Sequence, residues 1–304
     1  MIRLILTALF LVFECQFSFA DMGAIVPVAS VSVHEPGQRA IIAHDGFEEI
    51  LILATDLKTS QKTKVLRFIP FPSKPEVSIA GKNCFKRLGM IVKSHQLSYL
   101  EHYKMMAGSS AKVVEIRFHK KIGAHDVTIV RVNNFQHFMQ WINEFFANKG
   151  FSQRRLGEKE AKIINAYLQK GFNYFVFDLV ELTPETKSVE PLIYRFKTRY
   201  FYYPLLTSNL MKGYGTITLF VICDRGEIYK SLPSWPWQSS NTALITKREM
   251  QEIAPEIANL MGKNAMMRAY RYQGRLVFKK DLWFKMLVYE IQPYYSPFSL
   301  KHGL

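Results

Sequence analysis

The chain has 304 residues, of which 48% are apolar, 14% aromatic and 21% charged, with a formal net charge of +15. The apolar share excludes an intrinsically disordered chain, which combines low hydrophobicity with high charge. It suffices to bury a full core in one large domain or two small ones.

The N-terminus sets the expected compartment. Met1-Ile2-Arg3 precedes the apolar run Leu4 to Phe13, and Ser18-Phe19-Ala20 stands before Asp21. A basic start, an apolar run of about ten residues and a small-x-small ending predict a cleavable export signal over 1–20. A membrane anchor needs about twenty apolar residues, and Glu14 and Gln16 interrupt this run. Cys15 does not suit lipidation, because Glu14 before it is neither small nor neutral. The expected location is periplasmic or extracellular. Removing 1–20 takes away one cation, Arg3, and one anion, Glu14, so the charge stays at +15. The longest later apolar run, Thr216 to Ile222, has the length of a strand, so no transmembrane helix is expected in the mature chain. Two cysteines remain, Cys84 and Cys223. Export permits a disulfide between them. Two separately buried thiols are the other reading.

The mature chain opens with strands. Arg39 to Ala43 and Glu49 to Ala54 flank His44-Asp45-Gly46-Phe47, and an Asp-Gly pair between apolar runs predicts a hairpin. Val65 to Ile69 is a short strand ended by Pro70, Pro72 and Pro75. A helix is predicted from Asn83 to about Met106. Strands follow at Val113 to Ile122 and Asp126 to Val132. Asn133 or Asn134 caps the clearest helix, whose stripe is Phe135, Phe138, Met139, Ile142, Phe145 and Phe146. A second helix spans Glu158 to Lys170. Strands are expected at Phe172 to Leu182, Leu192 to Tyr203, Gly215 to Cys223 and Glu227 to Tyr229. Leu232 to Ser240 reads as a loop. Thr246-Lys247-Arg248-Glu249 fits a capping box, Pro255 breaks or restarts that helix, and Gly262 ends it. Met266 to Tyr272 and Leu276 to Phe278 close the pattern as strands around Gln273-Gly274. Short turns between strands favour antiparallel pairing. The predicted class is α+β, with mainly antiparallel sheets and about four helices on one face. It forms either two halves, 21–185 and 186–304, or one continuous domain over 21–304.

The order of segments resembles a known family. Val33-His34-Glu35-Pro36-Gly37-Gln38-Arg39-Ala40-Ile41-Ile42 and Phe68-Ile69-Pro70-Phe71-Pro72-Ser73-Lys74-Pro75-Glu76-Val77 look like an exported microbial family, domain of unknown function 2330. The likeness continues through Ile122 to Thr128, the helix carrying Trp141, Gly150-Phe151, Pro191-Leu192 and Tyr203-Pro204-Leu205. It spans roughly residues 21 to 280, a stretch of domain size. The resemblance implies a signal peptide and a mixed sheet–helix fold, and no reaction. The cysteine-rich mature start of many relatives is replaced here by Asp21-Met22-Gly23.

Catalytic motifs are sparse. His44-Asp45 and His125-Asp126 pair imidazole with carboxylate, as metal sites do, but sit at a turn and a strand start. Cys223 beside Asp224 lacks a local base. His34-Glu35 lacks the second histidine of a helical zinc site, and no phosphate loop or nucleophile elbow occurs. No cofactor or metal is expected. Trp235-Pro236-Trp237 reads as an aromatic contact or as rings folded over the core.

Charge is the positive signal. Alternation in Ile193 to Tyr200 puts Arg195, Lys197 and Arg199 on one strand face. Arg117, His119 and Lys121 repeat it, and Arg268, Arg271, Arg275, Lys279, Lys280 and Lys285 crowd around Asp281. Such stripes attract phosphate-rich partners, or simply keep a sheet face soluble. Outside the cytoplasm the partners would be anionic lipid headgroups or acidic envelope polymers, with no nucleic acid. The expected function is a non-catalytic, envelope-associated binding protein. The rival is an exported hydrolase whose site is scattered over loops.

Overall fold

The structure is a computed structural model that describes residues 23–25, 33–34, 37–55, 58–99, 125–151, 155–184, 191–210, 214–224 and 237–285. The chain begins with β1 (Gly23–Ile25), β2 (Val33–His34), β3 (Gln38–His44), β4 (Glu48–Thr55), β5 (Lys58–Thr59), β6 (Thr63–Phe71) and β7 (Glu76–Ile79). Helix α1 (Cys84–Ser94), strand β8 (His125–Arg131) and helices α2 (Phe135–Asn148) and α3 (Glu158–Gln169) follow. Then come β9 (Tyr174–Leu182), β10 (Leu192–Lys197), β11 (Tyr200–Tyr203), a 3-10 helix (Leu205–Leu210) and β12 (Tyr214–Cys223). The last elements are β13 (Trp237–Ile245), α4 (Lys247–Ile253), α5 (Pro255–Met261), β14 (Ala265–Arg275) and β15 (Leu282–Lys285).

A seven-stranded sheet runs in the order β13-β14-β12-β3-β4-β10-β7, and a four-stranded sheet in the order β1-β6-β9-β8. Among the described pairs only β12–β3 is parallel, so the fold is α+β with antiparallel pairing dominant. Strands from both sides of residue 185 interleave in the large sheet.

That sheet is apolar on both faces. Ala40, Ile42, Leu51, Leu53, Leu219 and Val221 point to one core, and Ile41, Ala43, Ile50, Ile52, Phe220 and Ile222 point to the other. Each face therefore needs its own cover. Helices α1, α4 and α5 bury Leu88, Val92, Met250 and Ile257 against the second face. The four-stranded sheet, with α2 and α3, closes the first. Phe71 of β6 meets Tyr194 and Phe196 of β10, and Phe138 of α2 stacks on Phe175 and Phe177 of β9. The helices thus form two groups rather than the single layer expected, because a two-sided sheet leaves a second face for another layer.

Local signals act as predicted in several places. Asn134 Oδ1 accepts the Gln136 and His137 amides and starts α2. Thr246 and Glu249 form the reciprocal capping box of α4. Pro255 opens α5 and Gly262 ends it in the left-handed region. Replacing Thr246 by Ala is expected to cost about 1 kcal/mol, read as a lower urea midpoint at unchanged slope.

Other expectations give way. Helix α1 stops at Ser94 instead of near Met106. Gln96 adopts φ 50, and Ser98-Tyr99 turn to β13, with Asn241 N–H donating to the Ser98 carbonyl at 3.0 Å. Pro70 lies inside β6, where among the described residues β6 has a neighbour on one side only, so its missing N–H is tolerated as at a sheet edge. Residues Trp237 to Ile245, in part expected as loop, form β13. Strand β14 runs unbroken through Gln273-Gly274, and the predicted strand at 276–278 is absent. The strands expected at 113–122 and 227–229 lie outside the described residues.

Candidate functional site

Three chemically capable residues stand in one row of the large sheet. Cys223 of β12 pairs in register with His44 of β3, and His44 with Glu49 of β4. All three are fully buried. Cysteine, histidine and carboxylate in sequence suggest a thiol nucleophile with an oriented base. The hydrogen bonds oppose that use. The Gly46 amide donates to His44 Nδ1 at 2.8 Å, and Nε2 donates to the Thr198 carbonyl at 3.1 Å. Both ring nitrogens are spent on backbone, so His44 is neutral and cannot take a proton from a thiol. Burial holds its pKa down at about 4, against the upward pull of Asp45 and the Thr198 carbonyl. Burial pushes Glu49 well above the usual carboxylate range, although the Tyr202 amide donates to its Oε2 at 2.7 Å.

A second buried cluster lies in the small sheet. Arg67 of β6 and Asp178 of β9 face each other in register. Arg67 Nε donates to Asp178 Oδ2 at 3.1 Å, and His125 Nδ1 lies 2.9 Å from the same oxygen. Their side chains are 3%, 2% and 4% exposed, which denies a substrate access. Burial raises the Asp178 pKa, but Arg67 and His125 together outweigh it and leave it lowered. The neighbouring Asp126 turns outward to an ion pair with Lys149. Both His-Asp dipeptides are therefore split between interior and surface, which removes the paired ligands a metal would need. Among the described residues no three His, Cys, Asp or Glu side chains are grouped to hold a metal ion.

A third cluster anchors β15. Asp281 accepts from the Tyr167 hydroxyl at 2.7 Å and from the Leu206 amide at 2.8 Å. Burial raises the pKa of Asp281. It is a buried acceptor, 4% exposed, and forms no ion pair with Arg268, Arg271, Arg275, Lys279 or Lys280 among the described residues. Arg271 and Arg275 lie over the rings of Tyr99 and Tyr214, and Arg268 Nε donates to the Ser240 carbonyl.

The predicted basic face is rearranged. Strand β10 ends at Lys197, and the chain crosses to β11, which pairs with β15 in a separate two-stranded sheet. The Thr198 hydroxyl accepts the Tyr200 amide at 3.1 Å and donates to the Tyr200 carbonyl at 2.9 Å, turning the chain. Arg195 and Lys197 share a strand face, whereas Arg199 lies in the turn. Arg195 is paired with Glu48 through Nε at 3.1 Å and Nη2 at 2.5 Å. Lys197 and Arg199 are exposed and form no ion pair among the described residues. They line an open hollow of about 560 Å³ with Asp45, Phe47, Glu48 and Thr198. Phe47 is 75% exposed, and its place in the sequence does not mark it as a binding residue. The available signal was an aromatic residue inside an Asp-Gly turn.

Cys84 and Cys223 do not join in a disulfide. Cys84 lies in the helix-covered core and Cys223 in the core on the other sheet face, so the sheet itself separates the thiols. Burial pushes the Cys84 thiol up to about 11, away from the reactive thiolate. Trp237 is buried at the start of β13, while Trp235 and Pro236 lie outside the described residues. No helix among the described residues is long and apolar enough to cross a membrane.

No curated protein matches the chain. The crystal structure of baculovirus P35 is similar over 84% of this chain and 97% of that chain, with TM-score 0.41 and 9% identity. A mutated baculovirus P35 after caspase cleavage is similar over 82% and 99%, with TM-score 0.37 and 8% identity. Likeness at this level says nothing of what the chain binds. The family described as an uncharacterized protein conserved in bacteria (DUF2330) matches residues 17–230, ending short of the 280 that the sequence resemblance suggests. That span is well over half of the chain, and the protein belongs to this bacterial family.

Proposed function

We propose that the protein is an exported, non-catalytic binding protein that associates with anionic envelope partners through its basic surface. The carrying observation is how its ionisable groups divide. The interior groups His44, Glu49, Asp178 and Asp281 are buried and hold hydrogen bonds within the protein, through one oxygen of each carboxyl group. Lys197 and Arg199 instead meet solvent without an anionic partner among the described residues. A net charge of +15 adds long-range attraction for phosphate-rich surfaces. The N-terminal signal pattern supports the compartment in which such surfaces occur.

The test is cosedimentation with envelope preparations at low and high salt. Binding is expected at low salt and is expected to weaken steeply as salt screens it. Reversing Lys197→Glu and Arg199→Glu together is expected to reduce it further. Absence of binding at low salt sinks the proposal and leaves solubility as the role of the charge.

A further inference from the structure

The turn between β3 and β4 holds a phenyl ring out in solvent on a backbone pinned by hydrogen bonds on both sides of it. The Phe47 amide donates to Asp45 Oδ1 at 2.8 Å, and its carbonyl accepts the Thr198 amide at 2.9 Å. Gly46 takes φ 108, a conformation that favours glycine, and its amide is fixed on His44. A group presented on so rigid a turn loses little further freedom when it binds.

A single exposed ring is ordinary on a protein surface. The surroundings set this one apart. Lys197 and Arg199 line the same hollow as Phe47. The hollow's two carboxylates are already engaged. Asp45 Oδ1 holds the Phe47 and Glu48 amides, and Glu48 holds Arg195. Tyr200 follows Arg199 directly, is 42% exposed, and meets Trp283 edge-on at 5.8 Å. Trp283 is itself 39% exposed. Tyrosine and tryptophan, apolar rings with a polar handle, favour the membrane–water boundary.

We propose that this corner is a bilayer-docking face, in which Phe47 enters the acyl boundary of an anionic membrane while Lys197 and Arg199 take lipid phosphates. The proposal rests on the reading above that the basic surface meets anionic envelope partners, and narrows that partner to phospholipid. A soluble polyanion would engage the two cations but has no apolar layer to receive the ring. A bilayer supplies both, at adjacent depths. Attachment through one ring and two cations is weak and reversible, unlike insertion of a spanning helix.

The experiment is partitioning of the full-length chain onto phosphatidylglycerol–phosphatidylcholine vesicles, with polyphosphate binding measured in parallel. All variants share the same N-terminal segment, so its contribution cancels between them. Phe47→Ala is expected to weaken partitioning roughly ten- to hundredfold and to leave polyphosphate binding unchanged. The ring is exposed and its turn is held by backbone bonds, so the fold is retained. Lys197→Ala and Arg199→Ala are expected to weaken partitioning roughly 5-fold each and to weaken polyphosphate binding as well. Brominated acyl chains are expected to quench the added fluorescence of Phe47→Trp. Equal partitioning of Phe47→Ala and the parent overturns the docking face. Salt-sensitive binding to polyphosphate without vesicle binding also overturns it, while the broader reading survives with a polymer as partner. Binding to neither probe defeats both.

Discussion

Replacing Asp178 by Ala is expected to lower the unfolding free energy by about 3–5 kcal/mol, the cost of removing one member of a buried ion pair. Arg67 is 3% exposed, so solvent cannot take over the charge that Asp178 balances. His125 loses the same oxygen. Desolvation has already been spent on both partners in the wild type, and that makes the single deletion severe. The double replacement Arg67→Met with Asp178→Leu is expected to recover most of the loss, because an apolar pair of similar volume suits the site. Urea unfolding of both variants provides the check. A loss within about 0.5 kcal/mol for Asp178→Ala, the range of ordinary surface changes, would show that water reaches the pair. Asp178 is lowered in the folded protein. Its contribution is therefore present above its unfolded pKa and is lost as pH falls through the folded value.

The sequence holds the near-neighbour part of this fold plainly. Asp45-Gly46, Asn134 and the Thr246–Glu249 box each act within four residues, and each marks a turn or cap that the structure contains. What it does not show is pairing between distant strands. Nothing in Leu192 to Tyr203 reveals that the chain leaves β4 at Lys197 and joins β15 from Tyr200. Alternation continues through the break, because a strand that changes sheets keeps its period. That is why Arg195, Lys197 and Arg199 read as one stripe. The structure divides them into a neutralised arginine, a strand cation and a turn cation. The parallel β12–β3 contact is equally invisible, since residues 38–44 and 217–223 are joined only by the sheet.

The buried charges illustrate the same limit from another side. Arg67 lies between Leu66 and Phe68, and Asp178 between Phe177 and Leu179, in strands that read as apolar. Each alone looks like a misplaced polar residue. Their meaning comes from register, which places them opposite one another 111 positions apart. Likewise Glu49 reads as a strand-end carboxylate until its burial under Tyr202 is known.

The other large effect expected is a pH response in which His44 and Glu49 mask each other. Burial depresses His44 to about 4. The unfolded chain then binds a proton that the folded chain refuses, and stability rises with pH between about 4 and 6.5 at about 1.4 kcal/mol per unit, roughly 3 kcal/mol in all. Burial raises Glu49. Here the folded chain keeps a proton that the unfolded chain gives up, and stability falls as pH rises above the ordinary carboxyl value of 4.5. Above about 4.5 and for as long as Glu49 keeps its proton, the two slopes oppose each other. While Glu49 keeps its proton, the unfolded pair is an imidazolium and a carboxylate and the folded pair an imidazole and a carboxylic acid, each holding one proton. Single variants unmask the halves. Relative to the wild type, Glu49→Gln is expected to gain about 1.4 kcal/mol per pH unit above 4.5 for as long as Glu49 keeps its proton. His44→Gln is expected to lose the acid-side rise and fall by roughly 3 kcal/mol relative to the wild type between pH 4 and 6.5. Taking differences from the wild type removes Asp281, whose raised pKa adds a slope of the same sign as Glu49. Urea midpoints across this range test the pair. Parallel curves for Glu49→Gln and the wild type would mean that Glu49 is ionised in the fold, and that the row Cys223, His44, Glu49 carries a charge its burial should forbid.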